Sequence, residues 1–218
     1  MFYVFPPPAE DIQQGDIFVN IPRVELPSLR KLMIIEQGAK PGKLTSLGWD
    51  EITQSNEKDA TAALVGLQAV PAIVITQTCD AARKPYVTLC EIMQLSEVKA
   101  FSTYKKDSLK KVAGDLIKHN RNKPDIFYLP PDSKIGFTEK MVAVFSNTIR
   151  VGRDDLERLK QDRTGRLNDI AYEHFREKLA YFFHRYAFNE WYILSKEELE
   201  AHKDYCDLDQ QHRYNHQK

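Results

Sequence analysis

The sequence predicts a single α+β domain of 218 residues, with an antiparallel, barrel-like β region over 12–150 and a C-terminal helical unit over 151–205. Three observations predict it. Ile73-Val74-Ile75 is a continuous β-branched run, the pattern of a strand buried on both faces, and a second apolar run returns at 86–94. The other apolar runs before residue 150 are short and bounded by Gly, Pro and polar turns. Tyr172, Phe175, Leu179, Phe182 and Tyr186 then recur at three- and four-residue spacing, which is the period of a helix with one apolar face.

Each element has its own warrant. Pro6, Pro7 and Pro8 fix φ and remove three backbone donors, so residues 1–14 form an extended lead-in. Gly15-Asp16 opens a first strand over 15–21, which Pro22 ends or marks as an edge. Residues 29–37, centred on Leu32-Met33-Ile34-Ile35, form a second strand. The polar stretch 38–60 carries Gly38, Pro41, Gly42 and Gly48 and reads as a loop, long enough to hold a short element of its own. Residues 70–79 form the central strand; Asp80 and Pro85 mark the turn to its return partner. Leu109, Val112, Leu116 and Ile117 predict an inserted helix near 108–120. Residues 127–131 are extended, and 140–146 form a further strand. A short helix over 154–162 precedes the long helix of 167–187, which Asn168 or Asp169 caps. Ser195-Lys196-Glu197-Glu198 is a capping box for a last helix.

Charge narrows the function classes. Lys plus Arg and Asp plus Glu both number 31, so no whole-molecule field draws the chain to nucleic acid or to an anionic membrane. Any phosphate contact must come from a local patch, and the stretch holding Lys105, Lys106, Lys110, Lys111, Lys118, Arg121 and Lys123 is the densest one. The three cysteines, Cys79, Cys90 and Cys206, lack CxxC spacing, so neither a disulfide framework nor a zinc site is expected. Reduced thiols suit a cytoplasmic protein, and no apolar run reaches the length of a membrane span. No cofactor motif is present, neither a phosphate-binding loop nor a dinucleotide fingerprint.

Two clusters carry potential chemistry. Thr76-Gln77-Thr78-Cys79-Asp80 stands where the central strand leaves the core, a place where a scaffold holds polar groups rigidly. Cys79 reads as a nucleophile or as a small buried apolar residue; Asp80 reads as an acid, a base or a turn cap. Near the end of the long helix, His184 and Arg185 sit where the macrodipole favours cations, and Arg185 is placed to pair with a carboxylate such as Asp80.

The Gly15-Asp16-Ile17 opening, the Pro71-Ala72-Ile73-Val74-Ile75 strand and the return Val87-Thr88-Leu89-Cys90-Glu91-Ile92 resemble the SH3-like barrel of MazF/PemK-type toxins. The Thr-Gln-Thr-Cys-Asp run, Leu129-Pro130-Pro131 and Phe182-Phe183-His184-Arg185 are similar to uncharacterised bacterial proteins with a [ST]Q[ST]CD signature. The resemblance implies an SH3-like barrel in a toxin–antitoxin or phage-defence setting. It also exposes a departure. The family's ribonucleases carry an arginine just before the central proline, where this chain has Val70, and end the return strand on a catalytic Thr or Ser, for which Ser96 is the nearest match.

The expected function is therefore a non-catalytic module that binds RNA, DNA or a protein partner through Thr76, Gln77, Thr78, Cys79, Asp80, Lys110, Lys111, Lys118 and Arg121. The alternative is an endoribonuclease of altered chemistry in which Asp80, Arg83, His184 and Arg185 converge, with Arg83 replacing the missing arginine. A third class is a structural subunit or homodimer using the aromatic helix, around which Tyr181, Phe182, Phe183 and Tyr186 are distributed.

Overall fold

The structure is a computed structural model that describes residues 1–25, 28–35, 44–54, 62–98, 114, 116 and 125–183. Met1–Phe182 form one compact unit. Among the described residues the strands are β1 (Tyr3–Val4), β2 (Asp16–Glu25), β3 (Leu32–Ile35), β4 (Leu44–Leu47), β5 (Ala62–Leu64), β6 (Gly66–Val74), β7 (Tyr86–Gln94), β8 (Ile126–Leu129), β9 (Met141–Gly152) and β10 (Arg163–Leu167). The α-helices with described bounds are α1 (Trp49–Gln54), α2 (Thr78–Ala81), α3 (Arg153–Arg158) and α4 (Asp169–Phe183).

Seven strands form one strongly curled antiparallel sheet, a half-barrel, in the order β1-β10-β2-β6-β7-β9-β8. A separate three-stranded sheet, β4-β3-β5, is inserted between β2 and β6. The α+β class and the β6–β7 hairpin agree with the sequence reading, and β7 spans residues 86–94 as expected. The curl brings the two edge strands together through side chains. The Tyr3 hydroxyl donates to the Pro130 carbonyl at 2.8 Å, and the Phe2 and Phe127 rings lie 6.3 Å apart.

Alternation along β6 and β7 sends side chains to both faces, and both are buried. On one face Ile17, Ile73, Cys90, Ile92, Phe127, Ala143 and Phe145 pack against Ala171, Phe175, Leu179 and Phe182 of α4. On the other, Phe18, Val70, Ala72, Val74, Val87, Leu89 and Val151 pack under Ile12, Ala81 and Leu156. Asn168 caps α4: its Oδ1 accepts the Ala171 N–H at 2.8 Å.

Several elements differ from the sequence reading. The region 151–205, read as helical, contains β10, which sits inside the sheet between β1 and β2. Its Arg163-Thr164-Gly165-Arg166-Leu167 sequence lacks apolar alternation because both arginines are turned onto a buried carboxylate. Asp16, fully buried on β2, accepts from Arg163 at 3.1 Å, from Arg166 and from the Gln13 N–H at 2.9 Å. The same arginines donate to the carbonyls of Pro7, Glu10 and Asp11, which fastens the proline-rich arm to the sheet.

Pro22 does not end β2. The strand continues to Glu25, and β10 pairs with β2 only as far as Phe18, so Pro22, opposite Ala69 of β6, lies on a stretch with a single strand neighbour among the described residues. The central strand starts earlier than expected, at Gly66, and stops at Val74. The stretch 38–60 holds β4 and α1. The expected strand of 140–146 runs on to Gly152. Of the inserted helix, Gly114 and Leu116 are helical, and the remainder, like the last helix, lies outside the described residues.

Candidate functional site

The chain leaves β6 at Val74 and turns sharply. Thr76 is not strand: its Oγ1 accepts the Thr88 N–H at 2.7 Å, closing the base of the turn against β7. The Thr78 hydroxyl accepts the Gln14 N–H at 3.2 Å. Gln14 is itself buried, donating to the Ile75 carbonyl at 2.6 Å and accepting from the Tyr172 hydroxyl at 3.3 Å. Both threonine hydroxyls are thus committed to holding the turn between β2, β7 and α4. Gly15 makes room for this packing. Its φ of +90° belongs to glycine, and a Cβ there would stand 3.3 Å from the Tyr172 ring.

The second half of the turn corrects the expectation of a strand end. Thr78–Ala81 form the single helical turn α2, opened by Gln77, whose carbonyl accepts the N–H groups of Asp80 and Ala81. Gln77 and Cys79 are exposed. Asp80 and Arg83 do meet, at 3.1 Å, as an exposed i,i+3 pair, and Arg83 Nε donates to the Cys79 carbonyl at 2.9 Å. Asp80 finds its partner within its own turn. His184, Arg185, Lys110, Lys111, Lys118 and Arg121 lie outside the described residues.

A cleft of about 330 Å³ opens behind α2, lined by Asp11, Ile12, Ala81, Ala82, Arg153, Asp154 and Glu157. Asp80 and Arg83 are not among its walls. Val70 is buried opposite Ile21, and Ser96 is exposed, its Oγ bonded to Gln94 Oε1 at 3.4 Å. No group of three or more His, Cys, Asp or Glu among the described residues is placed to hold a metal ion. No described helix is long and apolar enough to cross a membrane.

Two features escaped the sequence reading. The first is a stacked pair beside the turn. The Arg150 guanidinium lies over the exposed Tyr86 ring, 3.9 Å from its centroid. Tyr86 opens β7 and pairs with Gly152, which puts Arg150 two residues away on β9, opposite Thr88. Lys84 is exposed in the same loop, and neither Lys84 nor Arg150 has an acidic partner among the described residues. The second is a polar row farther along the sheet. Arg23 of β2 donates to Glu91 of β7, to Glu25 and to Gln68 of β6, and Asn147 of β9 donates to Glu91 Oε2 at 3.4 Å. Glu91 is 4% exposed. Sequence spacing carries no signal for either feature, since each joins strands far apart in the chain.

No family model matches this chain, and no curated protein matches it.

Proposed function

We propose that this chain is a nucleic-acid-binding barrel protein that holds a single strand without cutting it, an SH3-like relative of MazF/PemK-type toxins acting in the cytoplasm in a toxin–antitoxin or phage-defence setting. The Tyr86–Arg150 stack carries the reading. An exposed aromatic ring pre-stacked with an arginine offers a nucleobase two flat faces, and the charges of Arg150 and Lys84, which have no acidic partner among the described residues, suit the backbone phosphates. Binding without cleavage is supported by Val70, whose buried side chain provides no cation for a scissile phosphate. A partner protein is the second reading. The exposed cross-strand pair Val24 and Leu67, with Met33, Leu64 and Trp49 nearby in sequence, favours it.

The test is fluorescence anisotropy with labelled single-stranded RNA and DNA over a salt series. Two or three phosphate contacts give a log–log slope of about −1.4 to −2. Tyr86→Ala weakens binding by about 1–3 kcal/mol, the range for losing one stacked base. Affinity indifferent to both salt and Tyr86→Ala would remove the reading.

A further inference from the structure

β6 is paired on both sides for only part of its length. Its ladder with β2 runs over residues 66–73, but its ladder with β7 holds only Ala72, Ile73 and Val74. The cause is Pro71. The Val74 carbonyl accepts the Gly15 N–H on the β2 side, and the next N–H, that of Ile75, donates to Thr88 of β7. Backbone groups alternate along a strand, and the extra residue of the β2–β6 irregularity lies on β2. The groups of Ile73, Pro71, Ala69 and Leu67 therefore point toward the β7 side. At Pro71 that N–H does not exist, and the β6–β7 ladder goes no further. β7 continues beside β9 instead. The N–H and C=O groups of Leu67 and Ala69 are left without backbone partners among the described residues, on a stretch, 66–69, that is exposed throughout.

An open edge of this kind is a template for another strand. The two faces beside it specify what that strand carries. On one face Leu67 lies beside Val24 of β2 and both are exposed, so an incoming residue opposite Leu67 is apolar. On the other face Gln68 lies beside Arg23, and Gly66 beside Glu25. Arg23 is shared between Glu25 and Glu91, which leaves this row with one excess negative charge. Gly66 has no side chain to stand between Glu25 and a third strand, so an incoming residue opposite Gly66 is basic and long enough to reach Glu25 across it. A second copy of the same edge is the poorer occupant, because it would bring two such negative rows together.

We propose that β6 takes up an extended segment of a partner protein as an added antiparallel strand, with apolar and basic residues alternating along it. This rests on the partner-protein reading above and gives it a binding mode. The probe is a labelled, end-capped eight-residue peptide of alternating lysine and valine, titrated by fluorescence anisotropy. At saturation, deuterium exchange of the Leu67 and Ala69 amides slows, while that of Gln68, whose N–H faces β2, stays as it was. Glutamate in place of lysine weakens the peptide about threefold, and Glu25→Lys, a change at an exposed side chain, inverts that preference. Ala69→Pro removes an N–H that β2 does not use and weakens the lysine peptide about tenfold, because a carbonyl of the added strand is left unpaired. Circular dichroism verifies that both variants fold. Peptide binding without slowed exchange at Leu67 and Ala69, or binding unchanged in folded Ala69→Pro, overturns the added strand alone and leaves a patch that binds through its side chains. Equal binding of the two peptides overturns the stated chemistry. Slow exchange of those two amides in concentrated protein without peptide, with dimers in sedimentation, assigns the edge to a second copy and overturns the partner segment. Failure of both peptides to bind at millimolar concentration overturns the added strand and the partner-protein reading together.

Discussion

Lys178 lies on the buried side of α4, 5% exposed, and its Nζ has no hydrogen-bond partner among the described residues. Burial lowers its pKa from the ordinary 10.5 to about 8, with Asp125 pulling weakly the other way. Between those two values the unfolded chain keeps a proton that the folded chain has released, so stability rises with pH there. At pH 7 the ammonium is still charged, with no hydrogen bond among the described residues to offset its burial. Lys178→Met is therefore expected to stabilise the protein by about 1–3 kcal/mol at neutral pH. That advantage shrinks as pH rises from 8 toward 10.5; urea unfolding of both proteins across this range measures it, and a gap independent of pH refutes the assignment. Tyr3 and Cys90 are pushed up too, chiefly by burial, and both stay neutral under ordinary conditions. At this scale the sequence was legible only in part. Thr76, Thr78 and Asp80 belong to one turn, as their clustering implied, yet their bonds to Thr88, Gln14 and Arg83 give them structural work. Residue type marks a polar group's capacity for hydrogen bonds but leaves its partner open, and here the partners of the threonines come from β7 and from the turn before β2.

The junction of α4 with the sheet is an aromatic one. Phe175 meets Phe127 edge-on with ring centroids 5.1 Å apart and Phe145 at 5.6 Å, and Phe182 extends the row from Phe145 at 5.7 Å. Such pairs add to the area they bury. Phe175→Ala leaves a ring-sized void at this centre and is expected to cost about 3–5 kcal/mol, read as a lower urea midpoint at unchanged slope. A loss below about 1 kcal/mol would mean that α4 is held elsewhere. The helix was readable because its apolar face repeats within one segment. β6 and β7 were readable because β-branched and apolar residues accumulate where both faces are covered. β10 was hidden because two of its inward-pointing residues are arginines serving Asp16, which leaves Leu167 as its one buried apolar side chain. A strand whose buried groups are charged has no apolar period to detect. The extension of β9 past Ser146 was hidden for a related reason: its break in register exposes the residues that would otherwise alternate.

Across the whole molecule, the antiparallel curl follows from short strands and turns, whereas the strand order does not, because it depends on pairings between distant segments. The N-terminal arm shows this most clearly. β1 pairs with β10, Tyr3 is buried, and Arg163 and Arg166 take the carbonyls of residues 7–11. Removing Met1–Glu10 is expected to lower stability by at least about 3–5 kcal/mol, the loss of one buried aromatic side chain being a minimum. Thermal unfolding of the shortened chain checks this, and an unchanged midpoint would show the arm to be dispensable. The arrangement also sets an order of events at the ribosome. β1 finds its partner only after residue 167 has emerged, so Phe2 and Tyr3 wait for it while the more than 160 residues between them are made. Slow elongation or a truncated message would leave that aromatic leader free, making an early stop codon a route to aggregation rather than to a smaller working protein.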